Sequence, residues 1–156
     1  MPKQSAGILL YRNISGRIEV FLVHPGGPFW AKKDYGVWSI PKGEFADSEV
    51  PLEAAKREFQ EETSFPIEGT FSPLNPVKQP GGKTVYAWAV EGDIDAGAIR
   101  SNTFSIEWPI GSARTKSFPE IDRADWFDLE VAKIKILKGQ SGLLEQLSRE
   151  LPKRNR

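Results

Sequence analysis

The sequence predicts an α+β domain, and three observations carry that prediction. Two apolar, β-rich runs at 6–11 and 18–23 flank a short turn-forming stretch, which predicts a β-hairpin. A single strong amphipathic helix is predicted to begin at Pro51. A further β-rich run at 84–90 then supplies another strand. Strands and helix therefore share one domain.

Length and composition limit the organisation of the chain. The 156 residues are 39 % apolar and 27 % charged, which suits one core, so we expect a single domain at 1–151 and a basic tail at 152–156. No apolar run is long enough to cross a bilayer and no convincing secretory signal is present, so we expect a cytoplasmic protein without a membrane partner. A net charge of zero argues against general nucleic-acid binding. With no cysteine and one histidine, any metal would rely mainly on oxygen ligands.

The remaining elements follow in chain order. Residues 24–36 contain too much glycine and proline for a regular element and predict a long loop, of the kind that often carries function. Residues 37–40 predict a short strand. The helix from Pro51 meets no breaker before Ser64, and leucines at helical spacing predict a C-terminal helix at 141–151.

Segment 43–65 concentrates negative charge in an otherwise neutral chain, with seven carboxylates against two basic residues. At 100° per residue the helix has an apolar stripe formed by Leu52, Ala55 and Phe59. Directly beside it lies a second stripe, formed by Glu58, Glu61 and Glu62. Carboxylates at i, i+3 and i+4 are expected to converge on a hard divalent cation. Magnesium, which keeps several waters and commonly meets substrate phosphates, is the expected metal. Arg57, on the other flank of this stripe, would neutralise and orient neighbouring acids, with Glu49 as one partner.

The same segment resembles the signature of the Nudix hydrolases. That signature runs Gly, five residues, Glu, seven residues, Arg-Glu, an apolar residue, any residue, Glu-Glu, any residue, Gly and an apolar residue. The matching positions are Gly43, Glu49, Arg57-Glu58, Phe59, Glu61-Glu62 and Phe65. Ser64 stands where the family has glycine. At the helix C-terminal turn a serine would strain a left-handed backbone, but it removes no ligand.

The resemblance implies a fold, a metal and a reaction. The implied fold is an α/β/α sandwich with a mixed β-sheet between helices. The implied reaction is Mg²⁺- or Mn²⁺-dependent hydrolysis of a diphosphate linkage in a nucleoside diphosphate derivative. Glu58, Glu61 and Glu62 would be metal ligands together with the Gly43 carbonyl. The implied catalytic set is Glu58, Arg57 and Glu61, and Glu58 is alternatively the general base. Bound metal would neutralise the phosphates and activate a water for attack at phosphorus.

Four residues outside the signature are further candidates. Lys42 precedes Gly43 and is a candidate phosphate ligand, against an ordinary surface salt bridge. Trp30 and Tyr35, in the irregular loop, are the candidates for stacking on a base, whereas most other aromatics are expected in the core. Glu120 sits where some Nudix members place an extra metal ligand or base, and the alternative is a solvated loop acid.

The sequence identifies the substrate less precisely than it identifies the type of reaction. The lead-in 38–43 resembles that of Nudix members acting on dinucleoside polyphosphates, and less specifically those acting on diphosphoinositol polyphosphates or capped RNA. We therefore expect a small nucleotide or other diphosphate-containing substrate, either a dinucleoside polyphosphate or a (d)NTP. The alternatives are a non-catalytic Nudix-like nucleotide-sensing module and a structural cation site. A sensing module would be free to lose the helix carboxylates, and this chain retains all three. The oligomeric state is unknown from the sequence.

Overall fold

The computed structural model describes residues 3–151, and the basic tail expected at 152–156 lies outside them. The described residues form nine β-strands and three α-helices. The strands are β1 (Gln4–Ile14), β2 (Arg17–Pro25), β3 (Lys42–Glu44), β4 (Ser72–Pro73), β5 (Val77–Lys78), β6 (Thr84–Glu91), β7 (Thr103–Glu107), β8 (Thr115–Pro119) and β9 (Ile121–Asp128). The helices are α1 (Pro51–Thr63), α2 (Leu129–Lys135) and α3 (Ser141–Glu150).

The predicted N-terminal hairpin is confirmed as β1 and β2. Ser15 and Gly16 form its turn with φ angles of 52° and 87°. Both angles are positive, as a two-residue turn between right-twisted strands requires. The side chain of Asn13 accepts a hydrogen bond from the Gly16 N–H at 2.8 Å, which fixes the turn and with it the register of the two strands.

The sheet is mixed and lies between helices, as expected. Its strand order is β4-β6-β1-β2-β9, with β3 paired to β1 and β5 paired to β6. The β1–β6 pair is parallel and the other pairs are antiparallel. One face carries Ile8 and Phe21 and packs against Phe59 of α1. The other face carries Leu9 and Leu22 and packs in one cluster with the leucines of α3. The predicted α/β/α sandwich is therefore confirmed.

The sheet splits beside β1, and this split positions the site. β2 pairs with β1 only near the hairpin turn, from Tyr11 to Ile14, and β3 pairs with β1 at Ser5–Gly7. The segment before β3 fills the gap, where Ser39 exchanges two backbone hydrogen bonds with Val23 at 2.8 and 3.0 Å. The predicted strand at 37–40 is wrong: only isolated bridges form there. Because β1 and β2 diverge, no continuous edge remains for the segment to pair with.

Helix α1 occupies Pro51–Thr63, the predicted span. It ends at Ser64, whose φ of 69° is left-handed, as the missing glycine of the signature led us to expect. The Ser64 N–H donates to the Gln60 carbonyl, and the Ser64 hydroxyl donates to the carbonyl of Arg100. This second bond offsets part of the strain of an L-residue in that conformation.

Two elements were missed from the sequence. The β7–β8 hairpin forms a separate two-stranded sheet, which the sequence analysis did not predict. Helix α2 follows β9 directly, capped by the Asp128 side chain, which accepts from the Val131 N–H. Among residues 3–151, no helix is long and apolar enough to span a membrane.

Candidate active site

A cavity of about 210 Å³ lies at the split in the sheet. It is bounded by the end of β2, the segment entering β3, the last turn of α1 and the start of β9. Its charged lining residues are Lys42, Glu62 and Glu120, and the remaining lining residues are Val23, Pro25, Ser39, Ile40 and Ile121. The fold therefore brings three predicted site residues from three separate elements to one opening.

Gly43 and Glu58 lie in direct contact. A Cβ atom built on Gly43 would lie 2.0 Å from the carboxyl carbon of Glu58, so no larger residue fits without displacing that carboxylate. Pairing of Gly43 with Ala6 fixes the backbone of β3 in this position. The two predicted ligands, one a backbone carbonyl and one a carboxylate, are thus neighbours.

Arg57 holds three carboxylates on the solvent side of the site. Its guanidinium donates to Glu58 at 2.9 Å, to Glu61 at 3.2 Å and to Glu49 at 3.0 Å. Glu49 also accepts from the Ala46 N–H at 3.1 Å. That backbone hydrogen bond, followed by the one from Arg57, holds the pKa of Glu49 below its usual value. The expected Arg57–Glu49 pair is therefore present, and the arginine also links the loop before α1 to the helix.

Glu62 and Glu58 are held in a poorly solvated place. Burial, followed by the negative charge of Glu58, raises the pKa of Glu62 to about 8. Burial, followed by the charge of Glu61, also raises the pKa of Glu58. Glu120 adds to both shifts from across the cavity, whereas Lys42 acts in the opposite direction on Glu62. Like charges in partly desolvated positions repel, and an added cation would relieve that repulsion.

Lys42 is itself half-buried beside these acids. Burial, followed by the nearby charge of Lys83, lowers the pKa of Lys42, while Glu62 and Glu44 act to raise it. The Lys83 ammonium nitrogen lies 3.3 Å from a carboxylate oxygen of Glu44. Lys83 was not among the predicted site residues. Its position depends on the β5–β6 hairpin bringing residue 83 next to β3, and the only hint in the sequence was the glycine-rich turn at 79–83.

The three helix carboxylates do not converge as predicted. Within residues 3–151 no three acidic or histidine side chains form a ready metal-binding group. The reason lies in their partners: Glu58 and Glu61 both accept hydrogen bonds from Arg57, whereas Glu62 faces Lys42. The donor chemistry nevertheless fits a hard divalent cation, because the groups are oxygen donors and the raised pKa values of Glu58 and Glu62 show that the site disfavours two carboxylate charges unless a cation joins them.

Of the remaining predicted site residues, Glu120 lines the cavity, whereas Trp30 and Tyr35 do not. Glu120 joins β8 to β9, and its backbone is held by Asn102 and Gly26, each through a 2.8 Å hydrogen bond. Trp30 is 40 % exposed and Tyr35 is 71 % exposed. Neither lines the cavity, and their rings are contacted by Lys33 and Lys135 respectively.

The chain is similar to one protein family and to several solved structures. The NUDIX domain profile matches residues 1–147. The structure of the C. elegans Ap4A hydrolase binary complex has a TM-score of 0.65 at 24 % identity, covering 96 % of this chain and 97 % of that one. The NUDIX domain of Shewanella oneidensis NrtR complexed with ADP ribose has a TM-score of 0.66 at 17 % identity, covering 97 % and 89 %.

A third similar structure is a mutT/nudix family protein from Listeria innocua, with a TM-score of 0.64 at 16 % identity, covering 99 % of this chain and 97 % of that one. No curated protein sequence matches the chain. At these identities the structural likenesses show the fold, and the profile match shows the family.

Proposed function

The chain belongs to the NUDIX domain family, which supports the expected class of Nudix pyrophosphohydrolase, and on that premise we propose that it cleaves a diphosphate linkage in a dinucleoside polyphosphate or (d)NTP. The observation that carries the proposal is the contact of Gly43 with Glu58, beside a Glu62 whose pKa burial raises to about 8. This arrangement concentrates oxygen donors and unrelieved negative charge next to an open cavity.

The metal-binding part of the proposal concerns four residues. Glu58, Glu61, Glu62 and the Gly43 carbonyl would hold Mg²⁺ or Mn²⁺. Nudix hydrolases generally use divalent metal ions, and carboxylate and carbonyl oxygens are the donors these ions prefer. When bound, such a metal supplies charge neutralisation of the phosphates and an activated water.

The remaining steps belong to side chains of this chain. Arg57 orients Glu58 and Glu61 and limits their mutual repulsion. Lys42 binds a phosphate oxygen of the substrate, since its side chain is partly buried and lines the cavity beside the acids. Either Glu58 or Glu120 accepts the proton of the attacking water, because both carboxylates belong to this site: burial raises the pKa of Glu58, and the charge of Glu120 adds to that shift. Trp30 or Tyr35 stacks on the base from the loop at 24–36.

The substrate class is supported by the structural likeness to an Ap4A hydrolase and to a NUDIX domain that holds ADP ribose. Ap4A and ADP ribose both contain a nucleoside attached to linked phosphates. The shared chemistry is therefore a nucleoside diphosphate derivative, and the lead-in at 38–43 favours the dinucleoside polyphosphates within it.

Product analysis by mass spectrometry in heavy-oxygen water tests this proposal. The panel contains diadenosine polyphosphates, nucleoside triphosphates, ADP-ribose, nucleotide sugars and diphosphoinositol phosphates, each with Mg²⁺ and with Mn²⁺. We expect cleavage of a diadenosine polyphosphate or nucleoside triphosphate, with the label in the phosphate that took the water. Tight binding without cleavage of any panel member would contradict the proposal and favour a sensing module.

A matched pair of variants assigns the activity to the site. Glu62→Gln removes a proposed ligand charge, whereas Glu53→Gln makes the same change at an exposed position in the first turn of α1. We expect turnover to be lost only in the first variant, with both remaining folded by circular dichroism.

A further inference from the structure

His24 is the single histidine of the chain, and both its ring nitrogens face hydrogen-bond acceptors. Nδ1 lies 2.8 Å from a carboxylate oxygen of Asp122, and Nε2 lies 2.6 Å from the backbone carbonyl oxygen of Lys33. A carbonyl oxygen and an ionised carboxylate can only accept. A neutral imidazole has a single N–H to donate, so it can satisfy only one of these two partners.

The surroundings of His24 offer no other source of a proton. The imidazole is fully buried, which excludes water from the ring. Its nearest ring neighbour, Trp38, meets it edge-on at 5.1 Å and donates its own N–H to Asp34. Arg123, the cross-strand partner of His24 on β9, lies over the ring of Trp38 at 5.4 Å.

A neutral ring here would leave a nitrogen lone pair facing a carboxylate oxygen in a dry site. Burying such an unsatisfied, mutually repelling pair costs free energy. The Asp122 side chain is 28 % exposed, so its carboxylate keeps contact with water, which solvates it as a hydrogen-bond acceptor. The second proton therefore belongs on the ring.

We propose that His24 is held as an imidazolium ion and acts as a positioning residue for residues 26–37, the part of the long loop that follows the end of β2. One N–H donates to Asp122 at the start of β9, and the other donates to the Lys33 carbonyl in the loop. We call these two hydrogen bonds the His24 clamp. The Lys33 N–H in turn donates to Trp30 at 2.9 Å, so the clamp reaches a candidate base-stacking residue. The clamp goes beyond the proposed function, and only the kinetic part of its test rests on that function.

Nitrogen-15 NMR of the imidazole at pH 7 tests the protonation state directly, because the chain has only one histidine to assign. We expect both ring nitrogens to carry a proton. In Asp122→Asn the amide can donate to Nδ1, so the ring should lose that proton and keep the one on Nε2. Asp93→Asn is the matched control, since Asp93 pairs with Arg12 far from the loop, and it should leave both protons in place. One unprotonated ring nitrogen in the unaltered protein would overturn the proposal.

Hydrogen exchange tests the positioning role. Asp122→Ala removes one side of the clamp without offering a donor, so we expect the Lys33 and Gly36 amides to exchange at least tenfold faster. The Gly36 amide is a good reporter because it bonds to Ile134, outside the loop. Asp122→Asn, which satisfies a neutral ring, should restore exchange close to the original rate. Unchanged exchange in Asp122→Ala would overturn the positioning role.

Kinetics then separate this inference from the proposed function. With a cleaved substrate, Asp122→Ala should raise KM about tenfold with little change in kcat, because the loop contacts the substrate and not the reacting phosphorus. Faster exchange with an unchanged KM would support the clamp and contradict the role proposed for Trp30 and Tyr35. A doubly protonated His24 in a protein without hydrolase activity would support the clamp and contradict the proposed function.

Discussion

Glu61 and Glu62 are consecutive in the chain, yet they occupy opposite electrostatic environments. Glu61 is partly exposed and accepts a hydrogen bond from Arg57. Glu62 borders the apolar stripe of α1 and faces the cavity, and burial raises its pKa to about 8. The difference arises from the 100° helical step, which places one carboxylate beside a guanidinium and the next beside the core. The acidic stripe therefore has two sides. On the solvent side, Arg57 pairs with Glu61, and on the inner side, Glu62 faces the cavity.

The largest expected effect comes from the inner side. Glu62→Gln should lower kcat by about 100-fold or more, the scale of losing one preorganised electrostatic contact. The fold should survive, because a neutral amide resembles the protonated carboxyl group that burial favours at this position. Steady-state kinetics with Mg²⁺ and thermal unfolding measure the two effects. A fully active variant, or one that unfolds, would show that the inner side is not the functional one.

Arg57→Gln should have a smaller effect, on the solvent side. It leaves Glu49, Glu58 and Glu61 without their shared partner, so the carboxylates lose their orientation. We expect metal affinity or activity to fall by about 10- to 100-fold, as for other residues that orient metal ligands. Lys56→Gln is the matched control, because Lys56 lies on the same helix but pairs with Glu68, beyond the helix end, and does not line the cavity. Equal losses in the two variants would contradict a special role for Arg57.

The pH dependence of the free energy of unfolding tests the environment of Glu62 in the absence of substrate. Glu62 has a pKa of about 8 in the folded protein against 4.5 as its usual value. Between these values the folded state binds more protons than the unfolded state, so the free energy of unfolding should fall as pH rises. The slope from this group is at most about 1.4 kcal/mol per pH unit. Urea unfolding from pH 5 to 9 without metal should show this slope in the unaltered protein, and a shallower one in Glu62→Gln. Identical slopes would contradict the burial of Glu62.

The smallest effects are expected at Ser64, where the chain departs from the family signature. Ser64→Gly relieves left-handed strain but loses the hydroxyl bond to Arg100 and adds chain entropy, so stability should change by only about 0.5 kcal/mol. Ser64→Ala keeps the strain and loses the bond, so it should destabilise by about 1 kcal/mol. Denaturant unfolding measures both changes. A stabilisation above 1 kcal/mol in Ser64→Gly would show that the serine is merely tolerated.

Local spacing explains what the sequence could predict. Helical geometry within twenty residues determines three features of the site: the start and end of α1, the pairing of Arg57 with Glu49, and the position of Glu62 beside the core. The approach of Glu120 and Lys83 depends on strand pairing between distant segments, which no local pattern encodes. The failed strand at 37–40 has the same origin, since its pairing edge is set by the divergence of β1 and β2. The missed β7–β8 hairpin lies in a stretch where proline and glycine obscured the alternation.

The central claim is that Glu62, the buried member of the acidic stripe, is a ligand of the catalytic metal. Mn²⁺ binding measured by calorimetry from pH 6 to 9 tests this claim most directly. Because Glu62 must lose its proton to bind a cation, affinity should rise up to about tenfold per pH unit below pH 8 and level off above it. Glu62→Gln should bind weakly and with little pH dependence, and Glu53→Gln should behave as the unaltered protein. Affinity that is independent of pH, and equal in Glu62→Gln, would contradict the account.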